Sequence, residues 1–383
     1  MCFAADAVRA VADPPPFRAP APRPRRAPHT GHGGDQLVLL GTAGGANPKA
    51  TRAGFANAVV VGGHAYLHDC GEGANTQAWR AGIGMHRERR PAGGATVDAV
   101  FLSHLHSDHV IDLANLFLGQ WPTHDVHVYG PGPAGLPIAA YPPGRAAPLL
   151  YPDEPTPGTR SMVDHLFRAF AYNINVRIAD EGRHDPTAHV HVHEIGVPRH
   201  GADAASDGPD IDVGVAASGA TPATAAPAME PFVVRPLDAN GVRVTAILVQ
   251  HAPVFPALAY RFDTPRGSVV FSGDTGPCDN VVRLAHGADV LVHEVIDVEY
   301  LARRLQSLPN RDAVISHLTV SHTAPADAGR IAQRAGVRRL VLSHLVPGDD
   351  EFAEEDWEAR AAPFFDGEVV CGVDLDRFTL GSA

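Results

Sequence analysis

The chain has 383 residues, of which 45% are hydrophobic and 19% charged; this is the composition of a folded protein and excludes disorder along the whole chain. No apolar run approaches the roughly 18 residues that a membrane helix needs, so we expect a water-soluble protein with no membrane partner. The 31 basic and 43 acidic side chains give a net charge of −12, which makes nucleic acid an unfavoured partner.

The first 34 residues are rich in proline and arginine and contain no continuous apolar segment. They predict a disordered leader rather than a secretory signal, followed by one folded domain over residues 35–383. The four cysteines show no CxxC spacing and are too few for a disulfide framework. Together these features favour a cytoplasmic protein.

From residue 36 onward, short β-branched segments alternate with helical ones. In the first half the pattern predicts strands at 36–41, 58–61, 64–67, 97–102 and 126–129, and a helix at 109–118. In the second half it predicts a hairpin of 232–237 and 242–249 closed by Asn240-Gly241, strands at 259–262, 268–272, 290–292 and 340–342, and a helix at 324–335. This alternation indicates a layered α/β fold with mixed sheets.

A segment at about 130–230 interrupts the alternation with Pro/Gly clusters, one amphipathic helix near 162–170 and a stretch rich in small residues at 201–229. We interpret it as an inserted lid; the alternatives are a surface elaboration or a dimer contact. The aromatic residues expected to shape that lid are Trp121, Tyr129, Tyr141, Tyr151, Phe167, Phe170 and Tyr172.

Four potential metal ligands lie within six residues at the end of the predicted strand 97–102. His104, His106, Asp108 and His109 offer nitrogen and oxygen donors without a thiolate, which suits zinc or another borderline divalent metal. Strand ends that lead into helices are also where α/β sheets form their sites. This spacing exceeds the needs of one ion and therefore points to two.

Three more candidates each follow a predicted strand: His251, Asp274 and His344. With the first four they make seven ligands, enough for two adjacent ions, and Asp274 has one carboxylate oxygen for each of them. Asp274 alone is as consistent with a turn residue as with a ligand, and His251 and His344 have the lesser alternative of turn histidines. His189, His191 and His193 alternate with valines and would line one face of a strand; we prefer a solvated face to a third metal site.

The chain resembles the metallo-β-lactamase superfamily, and within it the branch that contains ribonuclease Z and the arylsulfatase-like metallohydrolases. The signature is Ser103 to His109. The branch markers are Leu40-Gly-Thr-Ala-Gly44, Asp69-Cys-Gly-Glu-Gly73, Gln250-His-Ala-Pro253, Ser272-Gly-Asp-Thr275, His293-Glu294, Ser321-His-Thr323 and Leu342-Ser-His-Leu345. They span residues 36–350 apart from the middle segment.

The resemblance implies a four-layer αββα sandwich with two zinc ions, or manganese or iron, that share an activated water. His104, His106 and His251 would hold one ion, Asp108, His109 and His344 the other, and Asp274 both. Asp69 would orient these ligands from beneath. Asp108 is counted among the catalytic residues. His322 would stabilise developing charge or donate a proton to the leaving oxygen, with Glu294 as its orienting partner. The alternative for that dyad is a helix-entry histidine and a surface carboxylate that follows a buried strand.

The resemblance leaves the substrate to be chosen. In ribonuclease Z an arm that grips tRNA is inserted between the third metal histidine and the bridging aspartate, and here His251 and Asp274 are only 23 residues apart. With the acidic charge balance, this favours a small ester, anionic or aromatic, cleaved by an arylsulfatase-like or phosphodiesterase activity in a chain that can form a homodimer. The alternatives are ribonuclease Z-type tRNA 3′ processing, a lactone or carboxylic ester hydrolase, and a non-catalytic metal-binding scaffold.

Overall fold

A computed structural model describes residues 27–30, 33–85, 94–135, 138, 140, 144–196, 211–212, 226–349 and 351–381. Most of the predicted leader lies outside these residues, as does Tyr141. Residues 27–30, which we assigned to the leader, contact the end of the chain. The backbone N–H of Arg377 donates to His29 O at 2.7 Å, and the rings of His29 and Phe378 lie 5.2 Å apart.

The strands are β1 (Gln36–Gly41), β2 (Ala56–Val61), β3 (His64–His68), β4 (Ile83–Gly84), β5 (Ala95–Phe101), β6 (Val126–Pro131), β7 (Val190–Gly196), β8 (Ile211–Asp212), β9 (Phe232–Arg235), β10 (Arg243–Leu248), β11 (Leu258–Asp263), β12 (Ser268–Phe271), β13 (Val290–Ile296), β14 (Arg339–Val346), β15 (Glu368–Cys371) and β16 (Arg377–Thr379). The α-helices are α1 (Ala74–Arg80), α2 (Ser107–Val110), α3 (Leu113–Gln120), α4 (Thr159–Ala169), α5 (Ala171–Glu181), α6 (Asp279–Ala285), α7 (Val298–Arg304), α8 (Arg311–Ser321), α9 (Pro325–Ala335) and α10 (Glu354–Ala361).

The strands form two mixed sheets. The first has the order β16-β1-β2-β3-β5-β6-β7-β8, with β4 beside β5, and the second has the order β15-β14-β13-β12-β11-β10-β9. In the first sheet β3, β5, β6 and β7 run parallel, and in the second β12 to β15 do so. The parallel strands bring their carboxyl ends to a common edge, where the ligand-bearing loops emerge.

Alternation of side chains along the strands explains the layers. In β1, Leu37 and Leu39 pack into the core between the sheets, while Val38 and Leu40 face a second core beneath the helices. Helix α4 packs on β6 and β7 of the first sheet, and α6 and α9 pack on the second sheet. A strand buried on both faces needs apolar residues at every position, as β1 has at residues 37–40. The two mixed sheets and the helices packed on them confirm the predicted layered α/β fold.

The predicted hairpin exists, but its turn is longer than two residues. Strand β9 pairs antiparallel with β10, and the connection is held by the Asp238 side chain, which accepts the N–H groups of Asn240 and Val242. Gly241 adopts φ 79°, as its expected role in the turn requires. The predicted helix at 109–118 is divided into α2 and α3.

The described part of the insertion belongs largely to the layers of the fold. Strand β7 extends the first sheet beside β6, and Phe167 of α4 packs its ring against Phe117 at 5.8 Å. Of the aromatic residues expected in a lid, Trp121, Tyr129 and Phe167 are buried, and Tyr151, Phe170 and Tyr172 face outward. Within the described ranges, no helix combines the length and hydropathy needed to cross a bilayer.

Candidate metal centre

The seven predicted ligands meet where the two sheets abut. His104 to His109 follow β5 of the first sheet, whereas His251 and Asp274 follow β10 and β12 of the second. The backbone N–H of Leu258, at the start of β11, donates to the carbonyl oxygen of Ser103, after β5, at 2.9 Å. This hydrogen bond links the second sheet to the first. The site is thus built from both halves of the chain.

His344 reaches the site through an irregularity inside β14 rather than from the end of the strand. The register between β13 and β14 shifts at this point, so that Ser343 and Leu345 pair with Glu294 and Val295 while His344 is left over. His344 has φ 47°, a left-handed conformation unusual for a residue other than glycine. A β-bulge re-aims a side chain in this way, and here it turns His344 toward Asp108.

The first group of donors contains His104, His106, His251 and Asp274. His106 Nδ1 lies 3.3 Å from His251 Nε2. Asp274 Oδ2 lies 3.8 Å from His104 Nε2 and 3.9 Å from His251 Nε2. Four donor atoms therefore surround one point.

The second group contains Asp108, His109, His344 and again Asp274. Asp274 Oδ1 lies 3.3 Å from both His109 Nε2 and His344 Nε2, and these two nitrogens are 3.2 Å apart. Asp108 Oδ2 lies 3.3 Å from His344 Nε2 and 3.6 Å from His109 Nε2. The two oxygens of Asp274 thus face different groups of histidines.

These donors fit a pair of divalent metal ions. A tetrahedral ion with ligand bonds of about 2.0 Å separates its donor atoms by about 3.3 Å, which is the spacing found in the second group. His104 Nε2 and Asp274 Oδ1 are buried without a hydrogen-bond partner in the structure. Buried polar atoms of native proteins are nearly always satisfied, and a cation bound between the donor groups would satisfy both. The His/Asp cluster is compatible with a binuclear site.

Asp69, which the resemblance assigns to orienting the ligands, lies in hydrogen-bonding contact with this cluster. Its Oδ2 accepts the Nδ1–H of His109 at 2.8 Å and the hydroxyl of Ser103 at 2.8 Å. Ser103 Oγ lies 3.0 Å from His104 Nδ1, so a single carboxylate acts on both ligands. Holding Nδ1 in this way leaves Nε2 of each ring directed toward a metal ion. The relay through Ser103 was not expected from the sequence.

Charge within the cluster is balanced between carboxylates and imidazoles. Burial lowers the pKa of His104 and His251 well below its usual range. Burial also acts on His109, but the neighbouring Asp274 and Asp69 outweigh it and raise the pKa of that ring. In the protein alone a proton at His109 therefore offsets the buried carboxylates, and a cation bound there would replace it.

Glu294 and His322 lie together beside the second group. Both carboxylate oxygens of Glu294 are 3.0 Å from His322 Nδ1, and Glu294 also accepts the backbone N–H of Thr275 at 2.7 Å. Burial lowers the pKa of His322, but the charge of Glu294 reverses this and raises it to about 9. Since Glu294 is 1% exposed, it is not the surface carboxylate that the alternative required.

His317, which we did not predict as a site residue, lies beside His251 and His322. His317 on α8 forms a further group of donors with His251 and His322, and the ring centroids lie 5.7 and 5.6 Å away. Helix α8 also holds His251, whose Nδ1–H donates to Ser321 O at 3.0 Å. The signal in the sequence was the four-residue spacing of His317 and Ser321, which places both on one helix face.

Two of the three alternating histidines, His191 and His193, lie on β7, on the face of the first sheet shared with His127, whereas His189 ends a short 3₁₀ helix before the strand. His193 Nε2 lies 2.9 Å from His127 Nδ1, and His191 is 42% exposed at its side chain and pairs with Asp125. Among the described residues, the groups of three or more donors able to hold a metal do not include them. The solvated strand face remains the better interpretation.

Comparison with known proteins identifies relatives along most of the chain. The family model "Beta-lactamase superfamily domain" matches residues 178–345. A Ribonuclease Z of Mycobacterium bovis (strain BCG / Pasteur 1173P2) is 31% identical over 342 residues, which cover 89% of this chain and 97% of the relative. A Ribonuclease Z of Mycolicibacterium gilvum (strain PYR-GCK) is also 31% identical, with 89% and 95% of the two chains covered.

Solved structures show the same fold. The short form of human tRNase Z has a TM-score of 0.53 at 19% identity and covers 91% of this chain and 100% of its own. The metallo-β-lactamase fold protein YhfI from Bacillus subtilis has a TM-score of 0.52 at 18% identity and covers 90% of this chain and 99% of its own. The predicted metallo-β-lactamase sandwich is thereby confirmed.

These relatives overturn the predicted small ester substrate, arylsulfatase-like or otherwise, and the exclusion of nucleic acid. The argument from the missing arm was wrong because proteins named Ribonuclease Z align with this chain over 97% and 95% of their own length. The argument from net charge was wrong because the total of −12 is a sum over the whole chain, whereas recognition of a phosphate depends on the local field at the donor groups, where bound cations would add positive charge.

Proposed function

We propose that this chain, which belongs to the ribonuclease Z family of metallo-β-lactamase-fold hydrolases, is a metal-dependent endonuclease that removes 3′ extensions from precursor tRNA. The observation that carries the proposal is the joint arrangement of two donor groups around Asp274 in a chain 31% identical to Ribonuclease Z relatives along 89% of its length. A phosphodiester of RNA is an ester that such a centre can hydrolyse.

The proposed cofactor is a pair of zinc ions. Imidazole nitrogens and carboxylate oxygens without thiolates suit zinc, and the donor spacing of 3.2–3.6 Å in the second group favours tetrahedral coordination. His104, His106 and His251 would hold one ion, Asp108, His109 and His344 the other, with Asp274 shared. When bound, the ions supply Lewis acidity, which lowers the pKa of coordinated water and offsets negative charge on the phosphate.

His322 is the proposed proton donor to the departing ribose oxygen. Its Nδ1 is held by Glu294 at 3.0 Å, so its Nε2 is the nitrogen left for the substrate. The ring is 8% exposed at the side chain, at the wall of the centre. Partnership with a carboxylate keeps the ring protonated until the oxygen leaves, and the raised pKa of about 9 supports that role.

Asp69 and Ser103 take no direct part in this scheme but determine how the ligands are presented. The Asp69 carboxylate fixes the tautomer of His109 directly and that of His104 through the Ser103 hydroxyl. Ser321 O does the same for His251. The chain therefore supplies three imidazoles that are oriented before any ion binds.

Incubation of the zinc-loaded protein with a 3′-extended precursor tRNA tests the proposal. We expect endonucleolytic release of the trailer, seen by gel electrophoresis, and no cleavage of mature tRNA. A His109→Ala variant serves as the inactive control. If the protein holds two ions per chain and leaves the precursor intact, the proposed function is wrong.

A further inference from the structure

An apolar cavity of about 490 Å³ opens beside the first group of donors. His106 belongs to both: its Nδ1 faces His251 Nε2 at 3.3 Å, and the residue also lines the cavity. The volume is in the range of sites that bind small organic groups. A substrate whose reacting phosphate lies at the donors therefore has part of its next unit at the mouth of this cavity.

The walls of the apolar cavity come from both halves of the chain. The insertion contributes Pro157 and Met162, and the loop after His251 contributes Pro253, Phe255 and Pro256. The described part of the insertion thus has a role at the centre, but through apolar side chains around 131–162 and not through the aromatic residues expected of a lid.

The chemistry of these walls selects an uncharged ring. Among the described residues that line the cavity, His106 is the one with an acidic or basic side chain, and Thr156 is the one with a side-chain hydroxyl. Four of the 13 described lining residues are prolines, which contribute no backbone N–H. A phosphate would lose its hydration there without compensation, whereas a neutral aromatic ring would gain apolar contacts.

A nucleotide combines these two chemistries, an anionic phosphate and a neutral aromatic base. We propose that the apolar cavity receives one base next to the scissile phosphate of the RNA, held against Phe255 without recognition of its hydrogen-bonding edge. This inference rests on the proposed function and adds a base-binding subsite to it. Stacking on an aromatic side chain tolerates any base, because every base has a π-face.

The substrate provides the first test. Two precursor tRNAs, each with an abasic residue at one of the two nucleotides that flank the scissile phosphate, are compared with the intact precursor. We expect KM to rise about tenfold or more for one of them and to change little for the other. If both abasic precursors are cleaved like the intact one, the subsite is wrong. If the intact precursor is itself not cleaved, it is the proposed function that fails.

The protein provides the second test. Phe255→Ala should raise KM for the intact precursor to a similar extent and should cause no further loss with the sensitive abasic precursor, because the same contact is removed twice. Independent, multiplying losses would contradict the proposal. Ala134→Phe, which fills the cavity from its wall, should also raise KM while metal content stays at the wild-type value. If Phe255→Ala fails to fold, the KM of Ala134→Phe tests the subsite in its place, and an unchanged KM would contradict the proposal. Leu237→Ala, at an exposed residue that does not line the cavity, is the matched control.

Discussion

The imidazole of His344 lies directly against the backbone of Gly44. A Cβ at position 44 would come within 2.3 Å of His344 Nδ1 and 2.4 Å of its Cε1. The backbone of Gly44 does not require positive φ, so the conflict with alanine is one of space alone. The glycine is therefore explained by the ring that it accommodates.

Gly44→Ala should displace His344 and weaken the ion held by Asp108, His109 and His344. We expect the affinity of one of two ions to fall at least tenfold, measured by competition with a chelator, while the chain still folds. Gly196→Ala is the matched control, because a Cβ there meets no atom within 4 Å. Wild-type affinity for both ions in Gly44→Ala would show that His344 is not a ligand.

Removal of the proposed proton donor should separate metal binding from catalysis. His322→Ala and Glu294→Gln should each retain two ions per chain and lose turnover by about 10²- to 10⁴-fold, since a positioned acid contributes that much. Single-turnover cleavage of precursor tRNA and metal analysis measure the two effects. His286→Ala, at an exposed histidine, should behave like the wild type. Loss of an ion from His322→Ala would make His322 a ligand.

Substitution of Asp69 should lower the affinity for metal, although Asp69 is not itself a proposed ligand. In Asp69→Asn an amide N–H₂ facing His109 would favour the tautomer with a proton on Nε2, the nitrogen that the ion needs. We expect a 10- to 100-fold loss of metal affinity. Position 69 has φ 57°, which asparagine tolerates. Ser103→Ala, which removes the relay to His104 but leaves the direct hydrogen bond between Asp69 and His109, should lose less; equal or larger loss would refute the direct role of Asp69.

The shared carboxylate predicts different metal contents for two ligand variants. Because the two oxygens of Asp274 face separate donor groups, Asp274→Ala should lose affinity for both ions. His251→Ala should lose affinity for one, because His251 belongs to the first donor group only among the two that share Asp274. Metal analysis after dialysis distinguishes the outcomes. One retained ion in Asp274→Ala would argue against bridging.

Acid should destabilise the fold through His68. This ring is fully buried, stacked on Phe271 at 4.4 Å, and neither nitrogen has a hydrogen-bond partner in the structure. Burial lowers its pKa to about 4, whereas in the unfolded chain it is about 6.5. Between these values the unfolded chain binds a proton that the folded one refuses, so the free energy of unfolding falls as pH drops from about 6.5 to about 4, in total by about 3 kcal/mol.

His68→Phe keeps the stacked ring and removes the titration. Denaturant unfolding of the metal-free proteins at pH 7 and pH 4.5 should show a smaller loss of stability for His68→Phe than for the wild type. His286→Phe, at an exposed site, should lose as much as the wild type does. An identical pH dependence in wild type and His68→Phe would mean that His68 is not buried in its neutral form.

The sequence predicted which donor residues would lie together better than it predicted how each side chain is directed into the cluster. His104, His251 and Asp274 were found because each follows a strand, and the carboxyl ends of neighbouring strands meet at one edge. His344 was placed after its strand, whereas it lies inside β14 at a bulge. A bulge depends on pairing with the neighbouring strand and leaves no periodicity in a single segment. The relay through Ser103 and the approach of His317 likewise arise from tertiary contacts.

The class of substrate could not be predicted correctly from the sequence. Net charge sums over all residues, while recognition depends on the field and shape at one edge of the molecule. The apolar cavity beside His106 brings together Pro157 of the insertion and Phe255 of a distant loop. Nothing in either segment alone indicates that they meet.

The proposed ligands of each ion come from both sheets: His104 and His109 follow β5, and Asp274 and His344 belong to the opposite sheet. An ion can therefore be held by its full set of donors only while the two halves of the domain are docked, and its binding free energy adds to the cohesion between them. By mass action, the melting temperature of this protein should climb with the free zinc concentration of its surroundings and drop when a chelator is added.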